Sequence, residues 1–471
     1  MLTNITSENT EFILLSFEGP DVYSLAGGLG VRVTNLSESL ADMGFPVHLF
    51  FVGDPHLKGE ETLQCGTVLH RWCQWISHYH PNGVYQGEFE KMHDFNHSIP
   101  GYITEHIVKP AVKRGKLVVI MGEEWHTAET MINISDILHR NRLRNSIVMF
   151  WNANNTFGFD QIDWKRLNYT STITTVSRYM KNIMQGLGIN PLVIPNGIPS
   201  ILLNRLDREA SANLRIRLPA ELMLSKVARW DEDKRWDTAV DTVAHLKGNG
   251  KKTVLLARGG IEPYGNQIME KARSLNLQVR EVHTQGNNLR DYFQAIENAG
   301  DADILSLRFH CPPELLRLVY HASDAVLANS SHEPFGLVGL ETMAAGGIAF
   351  TGSTGEDYAI PFHNAIVLET TDPREMVIYL SYLNEYPHVA QKMRRMAKET
   401  ARIYTWERVI EYLVRKLEYR ARSQGILTSE AKKTYEPPVT TIPSLPMTVE
   451  TIVEKTTPSP KATEDPFMVK V

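Results

Sequence analysis

The sequence has few cysteines and no long hydrophobic run. Cys65, Cys73 and Cys311 are the only cysteines among 471 residues, and so small and odd a number is typical of free thiols in a reducing compartment. No stretch of about 18 uncharged apolar residues occurs, so no transmembrane helix is expected. The polar start, residues 1–10, lacks the pattern of a signal peptide. We therefore expect a cytoplasmic protein and leave peripheral membrane contact open.

Several catalytic and metal-binding motifs are also missing. The sequence has no P-loop and no serine elbow, and no Asp-x-Asp motif directly ends a predicted strand. His70, His78 and His80 surround Cys73, but their spacing fits no standard zinc site. We predict neither a bound metal nor another cofactor.

The composition is that of a globular protein with a mild negative charge. Hydrophobic residues make up 42% and charged residues 22%, and the formal net charge is -5, which argues against a broad surface for nucleic acid. Short apolar runs alternate with segments of helical period, as in βαβ units with parallel sheets. The predicted strands of the first half are 12–15, 47–52, 117–120, 146–150 and 172–176, and those of the second half are 222–228, 253–257, 278–283, 303–307, 325–328 and 348–350.

This pattern predicts an α/β protein with two doubly wound domains. We expect a first Rossmann-like domain at 1–200 and a second at 201–403. A helix within 404–423 follows, whose Trp406, Ile410, Leu413 and Leu417 form one apolar stripe. The segment 424–471 is rich in Pro, Ser and Thr and is predicted to be disordered.

A glycine-rich loop follows the first predicted strand. Ala26-Gly27-Gly28-Leu29-Gly30 precedes a helix, and glycines let the backbone come close to a ligand. The free N–H groups at that helix start suit a phosphate. The spacing is not the Rossmann dinucleotide fingerprint, and a simple tight turn is the alternative.

Two cations follow the first strand of the second domain. Arg229 and Lys234 come just after that strand, where open α/β sheets bind their ligands. An arginine fork and a lysine point charge would both suit a diphosphate. The alternative is a solvated loop whose charges cancel, because three acidic residues, 231–233, lie between them.

The most informative segment runs from Ser331 to Gly347. Glu333 lies in a loop, and Glu341 lies within the helix that follows. The two carboxylates can therefore bind two different hydroxyl-bearing parts of one ligand. The N–H groups of Gly336 and Leu337, at the start of that helix, would face its phosphates.

In order along the chain, these segments resemble the retaining GT-B glycosyltransferases, the clan of glycogen and sucrose synthases (glycosyltransferases group 1). The resemblance rests on the two spaced glutamates, the Glu-Pro-Phe-Gly-Leu run, the glycine loop, Glu124–Ala128, and the pair Arg229 and Lys234. It covers residues 12–422. It implies two Rossmann-like domains facing each other across a cleft, the first on the acceptor side and the second binding the donor, with the C-terminal helix crossing back. It also implies transfer of a hexosyl unit from a nucleotide-diphosphate sugar to a glycan or small-molecule acceptor, in carbohydrate biosynthesis.

The resemblance also implies roles for single residues. Glu341 would hold the ribose hydroxyls and Glu333 would contact the donor sugar. Arg229 and Lys234 would neutralise the departing diphosphate. Gly27 and Gly28 would close on it from the other domain. The segment Leu307–Phe309 would lie near the base, so Phe309 is a candidate there.

The chain departs from the family pattern on the sugar side of the cleft. Where the family often has a histidine, this chain reads Trp151-Asn152-Ala-Asn154-Asn155, and Glu124 replaces the usual Asp before a tryptophan. We take Glu124, Trp151 and Asn152 as sugar-side or acceptor-side candidates. Two alternatives stay open: a sugar phosphorylase or sugar-nucleotide epimerase on the same fold, and a non-catalytic relative that binds a sugar nucleotide.

Overall fold

The computed structural model describes residues 2–428. They form two α/β units in succession along the chain, each a sheet with its covering helices, which are called the first and the second layer below. The first contains an eight-stranded sheet in the order β3-β4-β2-β1-β5-β6-β7-β8. Only the edge pair β3–β4 is antiparallel. Its strands are β1 (Thr10–Leu15), β2 (Val47–Val52), β3 (Glu60–Thr62), β4 (Val68–Trp72), β5 (Leu117–Glu123), β6 (Ile147–Ala153), β7 (Thr172–Thr175) and β8 (Leu192–Val193).

The second layer contains a seven-stranded parallel sheet in the order β11-β12-β10-β9-β13-β14-β15. Its strands are β9 (Leu222–Val227), β10 (Thr253–Arg258), β11 (Val279–Val282), β12 (Ile304–Leu307), β13 (Ala325–Ala328), β14 (Ala349–Thr351) and β15 (Ile366–Val367). The predicted division at 200–201 falls in the connection between the two sheets, and the exact domain bounds stay a prediction.

Helices connect the parallel strands and cover the sheets. They are α1 (Gly28–Asp42), α2 (Gln74–Ser77), α3 (Glu88–Ile103), α4 (Lys109–Lys113), α5 (Ala128–Arg140), α6 (Trp164–Thr170), α7 (Arg178–Gly186), α8 (Arg208–Ile216), α9 (Trp236–Gly248), α10 (Tyr264–Ser274), α11 (Leu289–Asn298), α12 (Pro313–Ala322), α13 (Leu337–Ala345), α14 (Pro373–Glu385), α15 (Pro387–Arg402) and α16 (Trp406–Ser423). Among the described residues, no helix combines the length and apolarity needed to cross a membrane.

The central strand β1 shows why continuous apolar runs form these sheets. Its side chains alternate between two buried cores: Ile13 and Leu15 pack on one face, and Phe12 and Leu14 on the other. Helices therefore cover both faces of the sheet, as is typical of parallel sheets. All predicted strands are present, and the predicted α/β fold is confirmed.

Four strands have no counterpart among the predicted ones. Three of them, β3, β8 and β15, have two or three residues each, too few for a periodic signal. The fourth, β4, contains His70 and Arg71, which look like surface residues in the sequence. Arg71 is buried because Asp21 lies 2.9 Å from its Nε and Glu61 lies 2.7 Å from an Nη, so its charge is paired inside the fold.

The last helix, α16, returns to the first layer. Its apolar stripe, which includes Ile410, Leu413 and Leu417, packs in the same core as Phe12 and Leu14. The backbone N–H of Trp406 donates to Ile198 O over 3.1 Å, which fixes the start of the helix beside the end of the first layer. The predicted crossover helix is therefore present.

The predicted start of the disordered tail needs a correction. Leu427 is buried and pairs with Leu2, and the N–H of Thr428 donates to Leu2 O over 2.9 Å. The burial of Leu427 and its pairing with Leu2 hold residues 424–428 in place. The rest of the predicted tail, 429–471, lies outside the described residues.

Candidate functional site

A cavity of about 380 Å3 lies at the carboxyl ends of β9 and β13, opposite the start of α1. Six of the predicted site residues line it: Gly28, Arg229, Lys234, Glu333, Gly336 and Leu337. The walls come from both layers. The first layer contributes Gly28, Leu29, Asn154, Asn155 and Asn196, and the other lining residues belong to the second. This is the position at which open α/β sheets bind ligands.

The acidic residues between Arg229 and Lys234 serve the local backbone. The side chain of Asp231 accepts the N–H of Asp233 over 2.9 Å and begins a short turn that ends at Lys234. Asp233 in turn accepts the hydroxyl of Ser331 and the N–H of His332. Asp231 and Asp233 thus shape the loop and join it to the segment before Glu333, instead of simply offsetting the two cations.

Lys234 and Glu333 form the central ion pair of the cavity. Lys234 Nζ lies 3.0 Å from Glu333 Oε2 and 3.4 Å from a carboxylate oxygen of Asp233. Burial works to lower the pKa of Lys234, but the nearby charges of Glu333 and Asp233 outweigh it and raise that pKa. The ammonium group therefore stays charged and sits where an anion can compete for it.

The start of α13 points at the same cavity. Gly336 adopts the left-handed conformation, with φ of 80°. A Cβ atom at this position would come within 2.8 Å of Glu356 and 3.0 Å of the Tyr358 hydroxyl. Glycine is needed there for both reasons. The first N–H groups of α13, beginning at Leu337, have no acceptor within the helix and can bind an anion.

Glu341 lies one turn further along α13, outside the cavity lining. It is partly buried, and burial raises the pKa of its carboxyl to about 7. It is not among the residues that line the cavity. The sequence correctly places Glu341 on the helix that carries Gly336, while its predicted contact with ribose remains a prediction.

The glycine loop does not offer all the free N–H groups expected of it. The carboxylate of Glu18 accepts the N–H of Gly27 over 2.9 Å and that of Gly30 over 3.0 Å. It also accepts the Tyr85 hydroxyl. A carboxylate of the chain thus occupies the place predicted for a phosphate at Gly27, and Gly28 alone of the two predicted glycines lines the cavity. Nothing in the sequence indicates this contact, because Glu18 reads as part of the strand end.

Glu124 supports the loop that does reach the cavity. Its Oε1 accepts the N–H of Asn154 over 2.6 Å and that of Asn155 over 3.2 Å, and both asparagines line the cavity. Its Oε2 is buried with no hydrogen-bond partner among the described residues. Burial, reinforced by the charge of Glu123, raises the pKa of Glu124 to about 8. Its backbone has φ of 66°, a strained conformation for a non-glycine residue.

Two neighbouring candidates do not reach the cavity. Trp151 is fully buried in the core of the first layer, where its Nε1 donates to Glu124 O over 3.1 Å. Asn152 is also buried, and its Nδ2 donates to Glu123 over 2.9 Å. Both lie on β6, whose side chains pack inward. The prediction of Trp151 as an acceptor-side residue is therefore corrected, because its side chain does not reach the cavity. The loop after β6, with Asn154 and Asn155, faces the cavity instead.

Phe309 also lies outside the cavity lining. It follows β12 and stacks on Tyr292 at a ring distance of 5.2 Å. Five polar lining residues were not predicted as site residues: Asn154, Asn155, Asn196, Lys226 and Ser330. The sequence signal for Lys226 is a lysine inside an otherwise apolar strand.

Part of the chain matches a known protein family. Residues 213–403 match the family model described as glycosyl transferases group 1. A stretch of 117 residues is 26% identical to the D-inositol 3-phosphate glycosyltransferase of Thermomonospora curvata. That stretch covers 24% of this chain and only 27% of that relative.

Two solved structures match over most of the chain. Sucrose-phosphate synthase from Thermosynechococcus elongatus is 20% identical, with a TM-score of 0.61 over 87% of this chain and 100% of that one. The catalytic domain of starch synthase IV from Arabidopsis thaliana, bound to ADP and acarbose, is 16% identical. Its TM-score is 0.62 over 88% of this chain and 99% of that one.

Residues 213–403 therefore match the glycosyl transferases group 1 family, and the chain has a GT-B fold of two Rossmann-like layers. The predicted class, a glycosyltransferase, is confirmed at the level of family and fold.

Proposed function

We propose that this protein transfers a hexosyl unit from a nucleotide-diphosphate sugar to a glycan or small-molecule acceptor, with retention of anomeric configuration. The observation that carries the proposal is the convergence of Arg229, Lys234 and the start of α13 on one cavity. A diphosphate leaving group develops negative charge as the glycosidic bond breaks. Fixed cations and N–H donors aimed at that charge are the most effective means of stabilising it.

Each group has a distinct part in the proposed reaction. Lys234 exchanges its ion pair with Glu333 for the diphosphate, and the released Glu333 carboxylate turns toward the donor sugar. Arg229, exposed at the cavity edge, binds the outer phosphate oxygens. Glu341 holds the ribose hydroxyls. We assign no protein nucleophile. We propose that no metal is required, because Arg229 and Lys234 supply the positive charge.

The acceptor would enter from the first layer. Asn154 and Asn155 stand on the loop held by Glu124, and their amide groups can donate to and accept from sugar hydroxyls. The cavity lies between the two layers, so closure around the donor would exclude water and prevent its hydrolysis.

A binding screen tests the donor site first. The thermal midpoint of the wild type should rise with one group among UDP, ADP and GDP sugars, because a ligand bound only by the folded state stabilises it. Glu341→Ala should lose most of that rise. Glu270→Ala, on the exposed face of α10, is the matched control and should keep it. No shift in the wild type with any nucleotide sugar would count against the proposal.

Turnover tests the reaction. Lys234→Ala should lower kcat by about 100-fold or more, the range found when one donor to a developing oxyanion is removed. Release of nucleoside diphosphate by the wild type should depend on an acceptor. Tight binding without release on any acceptor would favour the non-catalytic alternative. Release that needs inorganic phosphate would favour a phosphorylase.

A further inference from the structure

A lysine is buried at the base of the proposed donor cavity. Lys226, on β9, has 1% of its surface exposed. Its Nζ donates to Leu327 O over 3.0 Å and to Asn329 Oδ1 over 2.6 Å. Among residues 2–428, no carboxylate forms a salt bridge with it. Both acceptors are neutral, so the fold provides no countercharge for an ammonium group.

Burial without a countercharge favours the neutral amine. The surroundings agree: burial first, and then repulsion from Lys234, lower the pKa of Lys226 to about 7. The other charged groups facing it are Arg235, which also lowers this pKa, and Asp237 and Glu333, which raise it. The ring of Trp236, 5.4 Å from Nζ, gives a modest compensation when the amine is protonated.

Lys226 reaches the cavity, and the amide of its partner Asn329 retains an unused donor group. Lys226 lines the cavity together with Arg229 and Lys234. The Nδ2 group of Asn329 is buried with no hydrogen-bond partner among the described residues. A buried donor without an acceptor is costly, so the polar surroundings of Nζ are incomplete.

We propose that Lys226 is a third cation of the donor pocket, largely neutral at mildly alkaline pH when the pocket is empty and protonated when a diphosphate enters. This inference rests on the proposed function. A proton passes from solvent to the Nζ lone pair, and no other bond is made or broken. Because linkage is reciprocal, the diphosphate raises the proton affinity of Lys226 and the proton strengthens diphosphate binding.

Other groups near the cavity also titrate near neutral pH, and the test must separate their protons from that of Lys226. Burial raises the pKa of Glu341 and of Glu356 to about 7. Hydroxyls bound to a carboxylate favour its charged form, so these groups would release protons on binding and offset uptake at Lys226. The informative quantity is therefore the difference between the wild type and variants at position 226.

Titration calorimetry at pH 8 in two buffers of different ionisation enthalpy counts the protons taken up per nucleotide. The probes are UDP, ADP and GDP, each tested in turn. The wild type should take up about 0.5–0.9 proton more than Lys226→Met, since the free amine is mostly neutral at that pH. Lys226→Met should also bind about tenfold more weakly. Lys271→Met, on α10 and paired with Asp241, is the control and should match the wild type in both.

Equal proton uptake by the wild type and Lys226→Met would overturn the inference, even with nucleotide binding intact. If Lys226→Met does not fold, Asn329→Asp replaces it. In Asn329→Asp, a carboxylate beside Nζ keeps the lysine charged in the empty pocket. The excess proton uptake of the wild type should therefore be absent from this variant. Unchanged uptake in Asn329→Asp would likewise contradict the inference. Failure of the wild type to bind any nucleotide would instead overturn the proposed function, and this inference with it.

Discussion

Arg32 and Glu123 form a buried ion pair beneath the cavity. Arg32 Nε lies 3.0 Å from Glu123 Oε2, and the two side chains are 3% and 0% exposed. Arg32 also donates to Asn196, a residue of the cavity wall, while Glu123 accepts from Asn152 and Asn154. Arg32 thus links α1 to the end of β5 and to the segment that contains Asn196, and its loss would leave a buried carboxylate without a countercharge.

We expect Arg32→Leu to lower the free energy of unfolding by about 3–5 kcal/mol, the usual cost of removing one partner of a buried pair. Arg166→Leu is the control. Its pair with Asp136 is 54% and 42% exposed and should be worth about 0–1 kcal/mol. Urea denaturation of the three proteins makes the comparison. Equal losses for the two variants would contradict the account.

Glu124 should make stability depend on pH. Its pKa is about 8 in the folded protein and close to 4.5 when unfolded, so its protonated form is favoured by folding. The resulting stabilisation is fully present below about pH 4.5 and is lost as the pH rises through 8.

The isosteric variant Glu124→Gln removes this dependence and can still accept from Asn154 and Asn155. Between pH 5 and pH 8 the wild type should lose stability relative to Glu124→Gln, on the order of a few kcal/mol. Chemical denaturation at the two pH values measures the difference, in which the other raised carboxyls cancel. An offset between the two proteins that is independent of pH would argue against a protonated Glu124.

At the scale of elements, the start of α13 depends on one glycine. Gly336→Ala places a methyl group against Glu356 and Tyr358 in a conformation that alanine rarely adopts. We expect a loss of about 1–3 kcal/mol in stability and weaker nucleotide binding, because the helix start would move. Gly186→Ala, where a Cβ meets no atom within 4 Å, should leave both unchanged. Thermal unfolding with and without nucleotide tests this, and normal binding by Gly336→Ala would refute it.

The elements also show where inference from the sequence succeeds. Strands such as β1 are predicted because each residue is buried in one of two cores, which leaves a continuous apolar run. Arg229, Lys234 and Glu333 are predicted as neighbours because the carboxyl ends of parallel strands share one edge. The contact of Glu18 with Gly27 has no such signal, because the two residues are nine positions apart along an irregular loop. The burial of Trp151 was also not predicted, because the direction of a side chain at the end of a strand depends on the register of that strand.

At the scale of the whole molecule, the proposed reaction requires both layers to bind the donor and the acceptor at one cavity. The crossover helix α16 ties the second layer to the core of the first through Leu413 and Leu417. Leu413→Ala should cost about 2–5 kcal/mol, whereas Tyr419→Ala, 75% exposed on the same helix, should cost little. Denaturant unfolding checks the difference. Similar small losses in both would mean that α16 is not part of the folded core.

The most direct test of the central claim is the configuration of the product. The wild type, given the nucleotide sugar that binds most tightly and an acceptor chosen by activity, should release nucleoside diphosphate and form one new glycosidic bond. Proton NMR of the early product should show the same anomeric configuration as the donor. A product of inverted configuration, or nucleotide release without a new bond, would contradict retaining glycosyl transfer by this site.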